Sequence, residues 1–299
     1  MIESTGLTKS FGDIMAVNNV DMTIHEGTAF GLLGTNGAGK STLLRMIAGI
    51  LRQNSGSLTL DGSNIYENPA AKQQLFYIAD NQYFFANTTP AEQGVFYSTH
   101  YPAFDKEGFS KLLKAFDLPA QRKVNTFSKG MKKQLSLLAG ICANTTYLLC
   151  DETFDGLDPV MRQAVKSLMA DAMAGRGLTP VIASHNLREL EDICDHVGLL
   201  HKGGLLLSKD LEEMRLTVHK LQVVFDKPLH QKNFPGMDII SEKERGRLQT
   251  MIIRGDREEI ARRINSANPV FMELLPLTLE EVFITETEVV GYDLPDLGL

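Results

Sequence analysis

The run "GLLGTNGAGKSTLL" contains the residue types and the spacing of a phosphate-binding loop. Gly34, Gly39, Lys40 and Ser41 fit the pattern G-x-x-x-x-G-K-[ST], and Gly37 adds another conformationally permissive position. In such a loop the glycines let backbone N–H groups turn towards phosphate oxygens, the lysine reaches the β- and γ-phosphates, and the serine hydroxyl completes Mg²⁺ coordination. The run therefore predicts a nucleoside triphosphate site.

A pair of carboxylates follows an apolar segment in "YLLCDETFDGLDP". Hydrolysis of a bound nucleotide needs a carboxylate for the metal and a group that activates water. Asp151 could hold Mg²⁺ through water, and Glu152 could act as the general base. An isolated Asp-Glu pair could equally be a solvated strand end. Because a phosphate-binding loop precedes this pair in the same chain, a catalytic role is favoured.

One histidine has a comparable setting. His185 in "VIASHNLRELED" follows an apolar strand and precedes a helix that Asn186 could cap, so it could reach the γ-phosphate. The other six histidines, such as His25, His100 and His219, lack this context. They are predicted to be surface or packing residues.

These candidates need a sheet to position them. Residues 1–210 alternate short apolar runs with helical patterns, which predicts an α/β sheet covered by helices. Buried strands are predicted at Ala29–Leu33, Tyr147–Cys150 and Thr179–Ala183, and a helix from Lys40 to about Ile50.

The stretch from about residue 80 to residue 140 is mainly helical in pattern, which predicts a helical insert within the α/β domain. Thr89, Pro90 and Glu92 form a capping box with proline at the first helical position. The segment Phe109–Leu118 also has helical spacing.

A further helix is predicted in "NTFSKGMKKQLSL", with Ser128 as its N-cap. Core positions are predicted at Leu135, Leu137 and Leu138, and three lysines are predicted to face water: Lys129, Lys132 and Lys133. Gly130 in the first turn weakens a helix by roughly 1 kcal/mol relative to alanine. Either this glycine is incidental, or another molecule approaches the backbone there.

The pattern changes from about residue 211. We predict a domain at 1–218 and a small α/β appendage at 219–299, with the charged segment Ser208–Lys220 as a hinge. Strands are predicted in "LQVVFD" and "LQTMIIRGD". Helices are predicted at Arg257–Ala267 and in "PLTLEEVFI", the second capped by Thr278 with Glu281 three residues on.

Composition excludes several protein classes. The chain has 299 residues, 43% of them hydrophobic and 22% charged, as in soluble globular proteins. No apolar run approaches the ~20 residues that span a bilayer, and the N-terminus lacks a signal-peptide pattern. The three cysteines have no metal-binding spacing and are predicted to be buried or half-buried thiols in a reducing cytosol. A net charge of −7 disfavours nucleic-acid binding.

The order of the motifs is itself informative. The glycine loop, "FSKGMKK", "LLCDE", "GLD" and "SHN" follow one another as in the ATP-binding subunit of an ABC transporter, which most of residues 1–210 resembles. The resemblance implies a P-loop NTPase fold with a RecA-like core, an antiparallel β subdomain, a helical subdomain at about 80–140 and a small C-terminal α/β appendage. It also implies ATP and Mg²⁺ as ligands.

The resemblance assigns roles by position. Phe11 corresponds to the aromatic residue that stacks on adenine, Asp151 to the metal residue, Glu152 to the catalytic base, and His185 to the switch histidine. The Walker A loop corresponds to Gly34, Thr35, Asn36, Gly37, Ala38, Gly39, Lys40, Ser41 and Thr42. Lys40 belongs to the catalytic group, and Ser41 and Asp151 to the metal site.

The signature of the family corresponds to "FSKGMKK", with Ser128 and Gly130 as phosphate-facing positions, and Asp158 corresponds to the D-loop aspartate. In the family two cassettes close head to tail, so each signature completes the ATP site of the other subunit. The resemblance therefore implies a homodimer or a heterodimer. It also explains the glycine at position 130, because the ATP of the other subunit would approach the backbone there.

Three positions depart from the family pattern. Thr35 replaces the usual proline of the Walker A loop, and Lys129 replaces a more usual glycine of the signature. Where a glutamine or glutamate usually touches Mg²⁺, the alignment through "YIAD" places Asp80, and Gln82 two residues later is the alternative.

The tail "PLTLEEVFI" resembles ATPases of ABC-2 type exporters, in a branch that includes YtrB-like and bacterial peptide and antibiotic exporter ATPases. The resemblance implies a separate membrane permease, a place at the cytoplasmic face of a bacterial membrane, and export of a peptide, antibiotic or lipid-like substrate. It implies no nucleic-acid partner.

Three other classes are weaker alternatives. Soluble ABC ATPases of translation or DNA maintenance usually carry two cassettes or long coiled-coil insertions, which this chain lacks. A GTPase should show an Asn-Lys-x-Asp motif, and none is present; neither a GTPase nor a kinase explains "FSKGMKK". A binding-only cassette is disfavoured because Lys40, Asp151, Glu152 and His185 are all present.

Overall fold

The computed structural model describes residues 1–226, 233–278 and 280–281. The chain divides into two compact units, an N-terminal unit (Met1–Ser208) and a C-terminal unit (Lys209–Leu299). Within the described ranges, no helix has both the length and the apolar character that a bilayer span requires.

The N-terminal unit alternates strands and helices. Its strands are β1 (Ile2–Phe11), β2 (Ile14–Ile24), β3 (Phe30–Leu33), β4 (Ser55–Leu60), β5 (Ser63–Asn64), β6 (Leu75–Ile78), β7 (Tyr147–Asp151), β8 (Thr179–Ser184), β9 (His196–His201) and β10 (Gly204–Asp210). Its helices are α1 (Lys40–Ile47), α2 (Pro69–Lys72), α3 (Pro90–His100), α4 (Lys106–Ala115), α5 (Lys129–Cys142), α6 (Pro159–Arg176) and α7 (Leu187–Glu191), with a 3₁₀ turn at Val124–Thr126.

A six-stranded sheet in the order β10-β9-β3-β8-β7-β6 forms the centre of this unit. The pairs β3–β8, β3–β9, β6–β7 and β7–β8 are parallel. Every residue of β3, β7 and β8 is buried, as expected for parallel strands covered on both faces. The three predicted buried strands are thus confirmed to within one residue at their ends. Their carboxyl ends meet at one edge of the sheet, where ligands bind in open α/β folds.

A second sheet, β2-β1-β4-β5, is antiparallel. Ile2, Leu7 and Ile24 on its inner face are fully buried and belong to the same hydrophobic cluster as Leu43 and Leu44 of α1. The packing of α1 therefore joins the two sheets, and it fixes the helix that follows the glycine loop.

The predicted helical insert contains α3, α4 and α5. Thr89 and Glu92 form the expected capping box, with Pro90 at the start of α3. Ser128 caps α5 as predicted, and its hydroxyl accepts a hydrogen bond from the N–H of Met131 at 3.2 Å. The predicted core residues of α5 are fully buried: Leu135, Leu137 and Leu138.

One expectation for α5 is wrong. Lys133 does not face water, since only 1% of its side chain is exposed. From Leu135 to Cys142 the helix is buried on all sides, so it has no continuous polar face. A side-chain period read from the sequence could not show this.

The three cysteines are unpaired and buried. Burial raises the pKa of the Cys142 and Cys150 thiols to about 12, and it also raises the pKa of Cys194. Thiols in such surroundings stay protonated and unreactive at neutral pH. The prediction of buried thiols is confirmed.

The C-terminal unit contains α8 (Leu211–Thr217), β11 (Val218–Val224), β12 (Asp238–Arg245), β13 (Leu248–Arg254), α9 (Arg257–Asn265) and β14 (Phe271–Pro276). Its antiparallel sheet has the order β12-β13-β11-β14. The fully buried Leu221, Met251 and Ile253 share one hydrophobic cluster with Ile260 and Ile264 of α9.

The C-terminal unit contains two segments whose structure was predicted from the sequence. The segment 208–220, predicted as a hinge, includes the whole of α8. Thr278 and Glu281 exchange the hydrogen bonds of a capping box, with the Thr278 N–H donating to Oε2 of Glu281 at 3.1 Å. The remainder of the helix predicted in "PLTLEEVFI", residue 279 and residues 282–284, lies outside the described residues.

Candidate functional site

The glycine-rich loop joins β3 to α1 and needs its glycines for backbone packing. A Cβ on Gly34 would lie 2.6 Å from the carbonyl oxygen of Leu200, and one on Gly39 would lie 2.2 Å from that of Ala16. Gly39 also has φ of 106° and Gly37 has φ of 83°, in the region that side chains disfavour. The loop is therefore held close to its neighbours, and it directs the N-terminus of α1, with its partial positive charge, towards the space above the sheet.

Lys40 is 5% exposed and lies at the first position of α1. Its ammonium donates to the carbonyl oxygens of Gly34 at 2.7 Å and Thr35 at 3.3 Å. The same nitrogen lies 3.2 Å from Oε1 of Glu152. The phosphate-loop lysine and the predicted general base thus form an ion pair, although they are far apart in sequence.

Asp151 at the end of β7 has no exposed surface. Ser41 donates to its Oδ1 at 2.9 Å, and the Tyr77 hydroxyl donates to its Oδ2 at 3.1 Å. Burial raises the pKa of Asp151, and the two hydrogen bonds oppose that shift. Burial, followed by the nearby Asp151 charge, raises the pKa of Tyr77 to about 12, so Tyr77 remains a donor. Tyr77 was not among the predicted site residues.

Glu152 is held in an uncommon backbone conformation, with φ of 48°. Its N–H donates to the carbonyl oxygen of Ala183 at 3.0 Å, and its Oε2 lies 2.8 Å from Nδ1 of His185. A non-glycine residue in this region costs of the order of 1–3 kcal/mol and occurs most often at functional sites. The strained turn places the carboxylate between Lys40 and His185, which is the arrangement that the three predicted catalytic residues require.

A buried carboxylate fixes the chain beside His185. Glu189 on α7 is 3% exposed and accepts hydrogen bonds from Ser184 at 3.0 Å and from the Asn186 amide at 3.2 Å. Arg162 of α6 approaches it at 3.5 Å. Ser184 and Asn186, which flank His185, are therefore both hydrogen-bonded to the Glu189 carboxylate. The sequence analysis missed this network, because nothing in the spacing of "SHNLRELE" distinguishes Glu189 from the neighbouring acidic residues.

A cavity of about 300 Å³ lies above the glycine loop. Its lining comprises Ile14, Met15, Ala16, Asn36, Gly37, Ala38, Gly39, Lys40, Ser41, Thr42, Asp80 and Glu152. Ile14 and Met15 are large apolar side chains that are 71% and 48% exposed. Phe11 does not line the cavity and is 47% exposed; it belongs to the same hairpin, where it pairs with Ile14.

The two candidates after β6 differ in position. Asp80 lines the cavity, and its Oδ1 lies 3.4 Å from the ammonium of Lys133. Gln82 is not part of the lining, and its amide donates to the carbonyl oxygen of Ala79 at 2.9 Å. The structure therefore brings Asp80, rather than Gln82, to the glycine loop.

The signature and D-loop residues lie outside this cavity. Ser128 is exposed at the start of α5, and the Asp158 carboxylate caps α6 by accepting from the N–H groups of Val160 and Met161, both at 3.0 Å. A Cβ on Gly130 would have its nearest neighbour at 3.5 Å, an ordinary contact. Packing within the chain therefore gives no reason for glycine at this position.

Comparison with known proteins agrees with this geometry. A family model described as ABC transporter matches residues 17–155. The ABC transporter ATP-binding protein YtrB of Bacillus subtilis (strain 168) is 33% identical over 290 residues, which are 96% of this chain and 98% of YtrB. The bacitracin transport ATP-binding protein BcrA of Bacillus licheniformis is 32% identical over 209 residues, covering 69% of this chain and 68% of BcrA.

Solved structures share the fold. The ATP-binding subunit of an ABC transporter matches with a TM-score of 0.66 at 24% identity, over 72% of this chain and 92% of that chain. A dimeric ATP-binding cassette bound to ADP and Pi matches with a TM-score of 0.62 at 20% identity, over 71% of this chain and 99% of that chain.

The parallel sheet, the glycine loop and the Lys40–Glu152–His185 cluster define a nucleotide-binding P-loop ATPase. With the relatives above, the chain belongs to the ABC transporter ATP-binding family, and it is an ATP-hydrolysing subunit of an ABC transporter. The resemblance inferred from the order of the motifs is confirmed.

Proposed function

We propose that ATP binds in the cavity above the glycine loop and is hydrolysed there with Glu152 as the general base. The observation that supports this most directly is the position of the Glu152 carboxylate, which lines the same cavity as the loop and contacts both Lys40 and His185. A base must lie within hydrogen-bonding reach of the water that attacks the γ-phosphate, and the cavity wall provides such a place.

Lys40 changes partners in this mechanism. Its ammonium contacts Glu152 and two loop carbonyls, all of which are weaker attractors than a polyphosphate. When ATP binds, Lys40 pairs with the β- and γ-phosphates and leaves the Glu152 carboxylate available to water. The backbone N–H groups of Gly37 to Thr42 and the N-terminus of α1 receive the remaining phosphate charge.

The residues around Asp151 fit Mg²⁺. Asp151 and Ser41 offer hard oxygen ligands 2.9 Å apart. In the described part of the chain no three His, Cys, Asp or Glu side chains come together as metal ligands. Mg²⁺ is usually bound by one or two carboxylates together with substrate phosphates, so a sparse ligand set is appropriate. Asp80 on the cavity wall is proposed as a further ligand, and the ion would neutralise charge on the phosphates.

Hydrolysis then transfers one proton and one phosphoryl group. Glu152 accepts a proton from water as the water oxygen bonds to the γ-phosphorus, and the bond from that phosphorus to the β–γ bridging oxygen breaks to release ADP. His185 holds the Glu152 carboxylate and contacts the γ-phosphate. Phe11, with the exposed Ile14 and Met15 of the same hairpin, offers an apolar surface for adenine.

Ser128, Gly130 and Asp158 serve the ATP site of a second subunit. They lie outside the cavity of their own chain, and a Cβ on Gly130 would make only an ordinary contact, 3.5 Å from the carbonyl oxygen of Gly156. In a head-to-tail dimer with a copy of this chain or a related subunit, Ser128 and the backbone at Gly130 meet the γ-phosphate of the opposite ATP. Such a closed, two-fold interface contains two nucleotides.

The helical insert is the proposed contact with a separate membrane permease. Tyr83, Phe85 and Phe96 form consecutive edge-on ring contacts, 6.1 Å and 5.0 Å between centroids, and are 83%, 48% and 36% exposed. An exposed aromatic cluster is typical of an interaction surface. Through the permease the chain would be held at the cytoplasmic face of the membrane.

The transported substrate is proposed from the relatives. BcrA is a bacitracin transport protein, and SrtF of Streptococcus pyogenes, 31% identical over 241 residues, is a lantibiotic transport protein. We therefore propose export of a peptide, antibiotic or lipid-like molecule, with selection of the substrate by the permease.

The change Glu152→Gln tests the role of Glu152. It removes the base and keeps the size of the side chain, so kcat should fall by about 10²–10⁴-fold while ATP binding persists. Steady-state hydrolysis and ATP-dependent dimer formation by light scattering would measure these effects. Glu107→Gln on the exposed face of α4 is the matched control. Wild-type turnover in Glu152→Gln would overturn the proposal.

A further inference from the structure

Lys133 on α5 carries a charge into the interior of the N-terminal unit. Only 1% of its side chain is exposed, and it does not line the cavity above the glycine loop. Burial of an ammonium group is costly unless charged or strongly polar partners replace water. Such a group is therefore expected to have specific partners that depend on it.

The partners of Lys133 are parts of the ATPase site. Its ammonium donates to the backbone carbonyl oxygen of Glu152 at 2.6 Å and lies 3.4 Å from Oδ1 of Asp80. The short contact is to the main chain of the proposed base, and the longer contact is to the residue that reaches the cavity from the end of β6. A single side chain thus links three separate segments.

The main chain and the side chain of Glu152 are held by different cations. Lys40 and His185 contact the carboxylate, whereas Lys133 contacts the carbonyl. In the proposed mechanism Lys40 moves to the phosphates, but Lys133 has no access to them. Lys133 therefore keeps its contact when the carboxylate is released to water, and it supports the strained φ of 48° at Glu152.

We propose that Lys133 is a positioning residue for Glu152, and that its ion pair with Asp80 makes the position of Glu152 depend on the loop after β6. This inference rests on the proposed role of Glu152 as the base. Ser128 caps the N-terminus of α5, and the loop after β6 leads to the aromatic cluster of the helical insert, so a displacement of either element reaches the base through Lys133.

The first test is Lys133→Gln, which keeps one amide donor and removes the charge. A displacement of about 1 Å at a catalytic group can lower the rate by about 10²-fold, so kcat should fall by 10-fold to about 10²-fold. The KM for ATP and the Kd of a non-hydrolysable ATP analogue should remain within about twofold, because Lys133 lies outside the cavity. Lys114→Gln on the exposed face of α4 is the matched control.

The second test is the double variant Lys133→Gln/Asp80→Asn, which removes both charges and leaves no unpaired carboxylate. Because Asp80 is also proposed as a Mg²⁺ ligand, the single variant Asp80→Asn is measured alongside. If Asp80 acts through Lys133, the loss of kcat in the double variant should be smaller than the product of the two single losses. Single losses that simply multiply in the double variant would overturn the link to Asp80. This variant also keeps the test valid if the single change fails to fold.

The third test separates this inference from the proposed function. Adding Lys133→Gln to the Glu152→Gln variant should lower kcat no further, because a positioning residue has no effect once the base is absent. Unchanged kcat in Lys133→Gln, or a raised KM with unchanged kcat, would overturn the inference even when Glu152→Gln is inactive. Wild-type turnover in Glu152→Gln would instead overturn the assignment of the base.

Discussion

The two units of the molecule differ in what they bury. Among the described residues, the N-terminal unit buries four charged side chains: Lys40, Lys133, Asp151 and Glu189. In the described part of the C-terminal unit the buried polar side chains are His219 and Gln249, and no Lys, Arg, Asp or Glu is buried. The N-terminal unit thus contains charged side chains in its interior, whereas the core of the C-terminal unit is an apolar cluster between a sheet and a helix.

The buried charges are not scattered through the N-terminal unit. Lys40 and Lys133 both contact Glu152, Asp151 precedes it, and Glu189 holds the residues that flank His185. Replacement of buried ion pairs by apolar residues is often neutral or stabilising, so stability alone does not explain them. The charges buried in the N-terminal unit therefore serve its chemistry, whereas the buried residues of the C-terminal unit serve its packing.

Gly130→Asp should give the largest effect, and it sharpens this distinction inside the N-terminal unit. The chain has room for a Cβ at Gly130, and an acidic residue in the first turn of α5 interacts favourably with the helix dipole. The stability of the subunit should therefore be unchanged or slightly raised. The carboxylate would nevertheless repel the ATP of the opposite subunit, so hydrolysis should fall by at least about 10²-fold.

ATP hydrolysis, nucleotide binding and thermal unfolding of the same preparation would check this prediction. Gly175→Asp in α6, where an added side chain meets open space, is the matched control. Nucleotide binding by the isolated chain should remain normal. If Gly130→Asp hydrolysed ATP like the control, Gly130 would not contact a nucleotide in the dimer.

Much of the N-terminal unit could be predicted because its signals are local. The glycine loop, the buried strands β3, β7 and β8 and the caps at Thr89 and Ser128 each depend on residues close together in sequence. Lys133 could not be predicted in the same way. Its burial depends on Asp80 and on a carbonyl at residue 152, and the period of an isolated helix contains neither.

In the candidate site, too, residues in local motifs could be predicted, and residues that act only through tertiary contacts could not. Lys40, Glu152 and His185 were assigned to one site because each lies in the glycine loop or directly after an apolar strand, and the order of the motifs resembled a known family. The structure places these three side chains in contact. Tyr77 and Glu189 were missed, since each contributes one polar atom to a tertiary network and has no motif of its own.

Met251→Ala should separate the two units by stability. Met251 has no exposed surface at the centre of β13, and loss of such a side chain typically costs 2 to about 5 kcal/mol. We expect the C-terminal unit to unfold at lower denaturant concentration, as measured by hydrogen exchange of β11 and β13 in the full chain. The kcat for ATP hydrolysis should be unchanged, because the catalytic side chains belong to the N-terminal unit.

Thr250→Ala is the matched control, since Thr250 is the half-buried neighbour of Met251 and points to the opposite face of the sheet. It should change stability by much less than Met251→Ala. A loss of kcat in Met251→Ala that Thr250→Ala did not share would break the comparison, because packing of the C-terminal unit would then control the chemistry.

The change His219→Gln should give the smallest effect on stability. It tests whether the buried interior of the C-terminal unit resists protonation of a histidine. His219 lies in β11 at 6% exposure, and its Nε2 has no hydrogen-bond partner among the described residues. Burial is the main cause that lowers the pKa of His219, and the positive charge of Arg257 lowers it further. Contacts with Gly255, Leu216 and Asp256 oppose this shift. Folding therefore favours the neutral ring.

Protonation of His219 should therefore destabilise the C-terminal unit. A depressed folded-state pKa gives a contribution to stability that is complete above the unfolded value of about 6.5 and is lost as the pH falls towards the folded value. A single proton can contribute no more than about 1.4 kcal/mol per pH unit. Compared with His219→Gln, the wild-type C-terminal unit should lose stability more steeply from pH 7 to pH 5. Hydrogen exchange of β11 in both proteins at each pH measures this difference, and parallel slopes would show that protonation of His219 is not resisted by the fold.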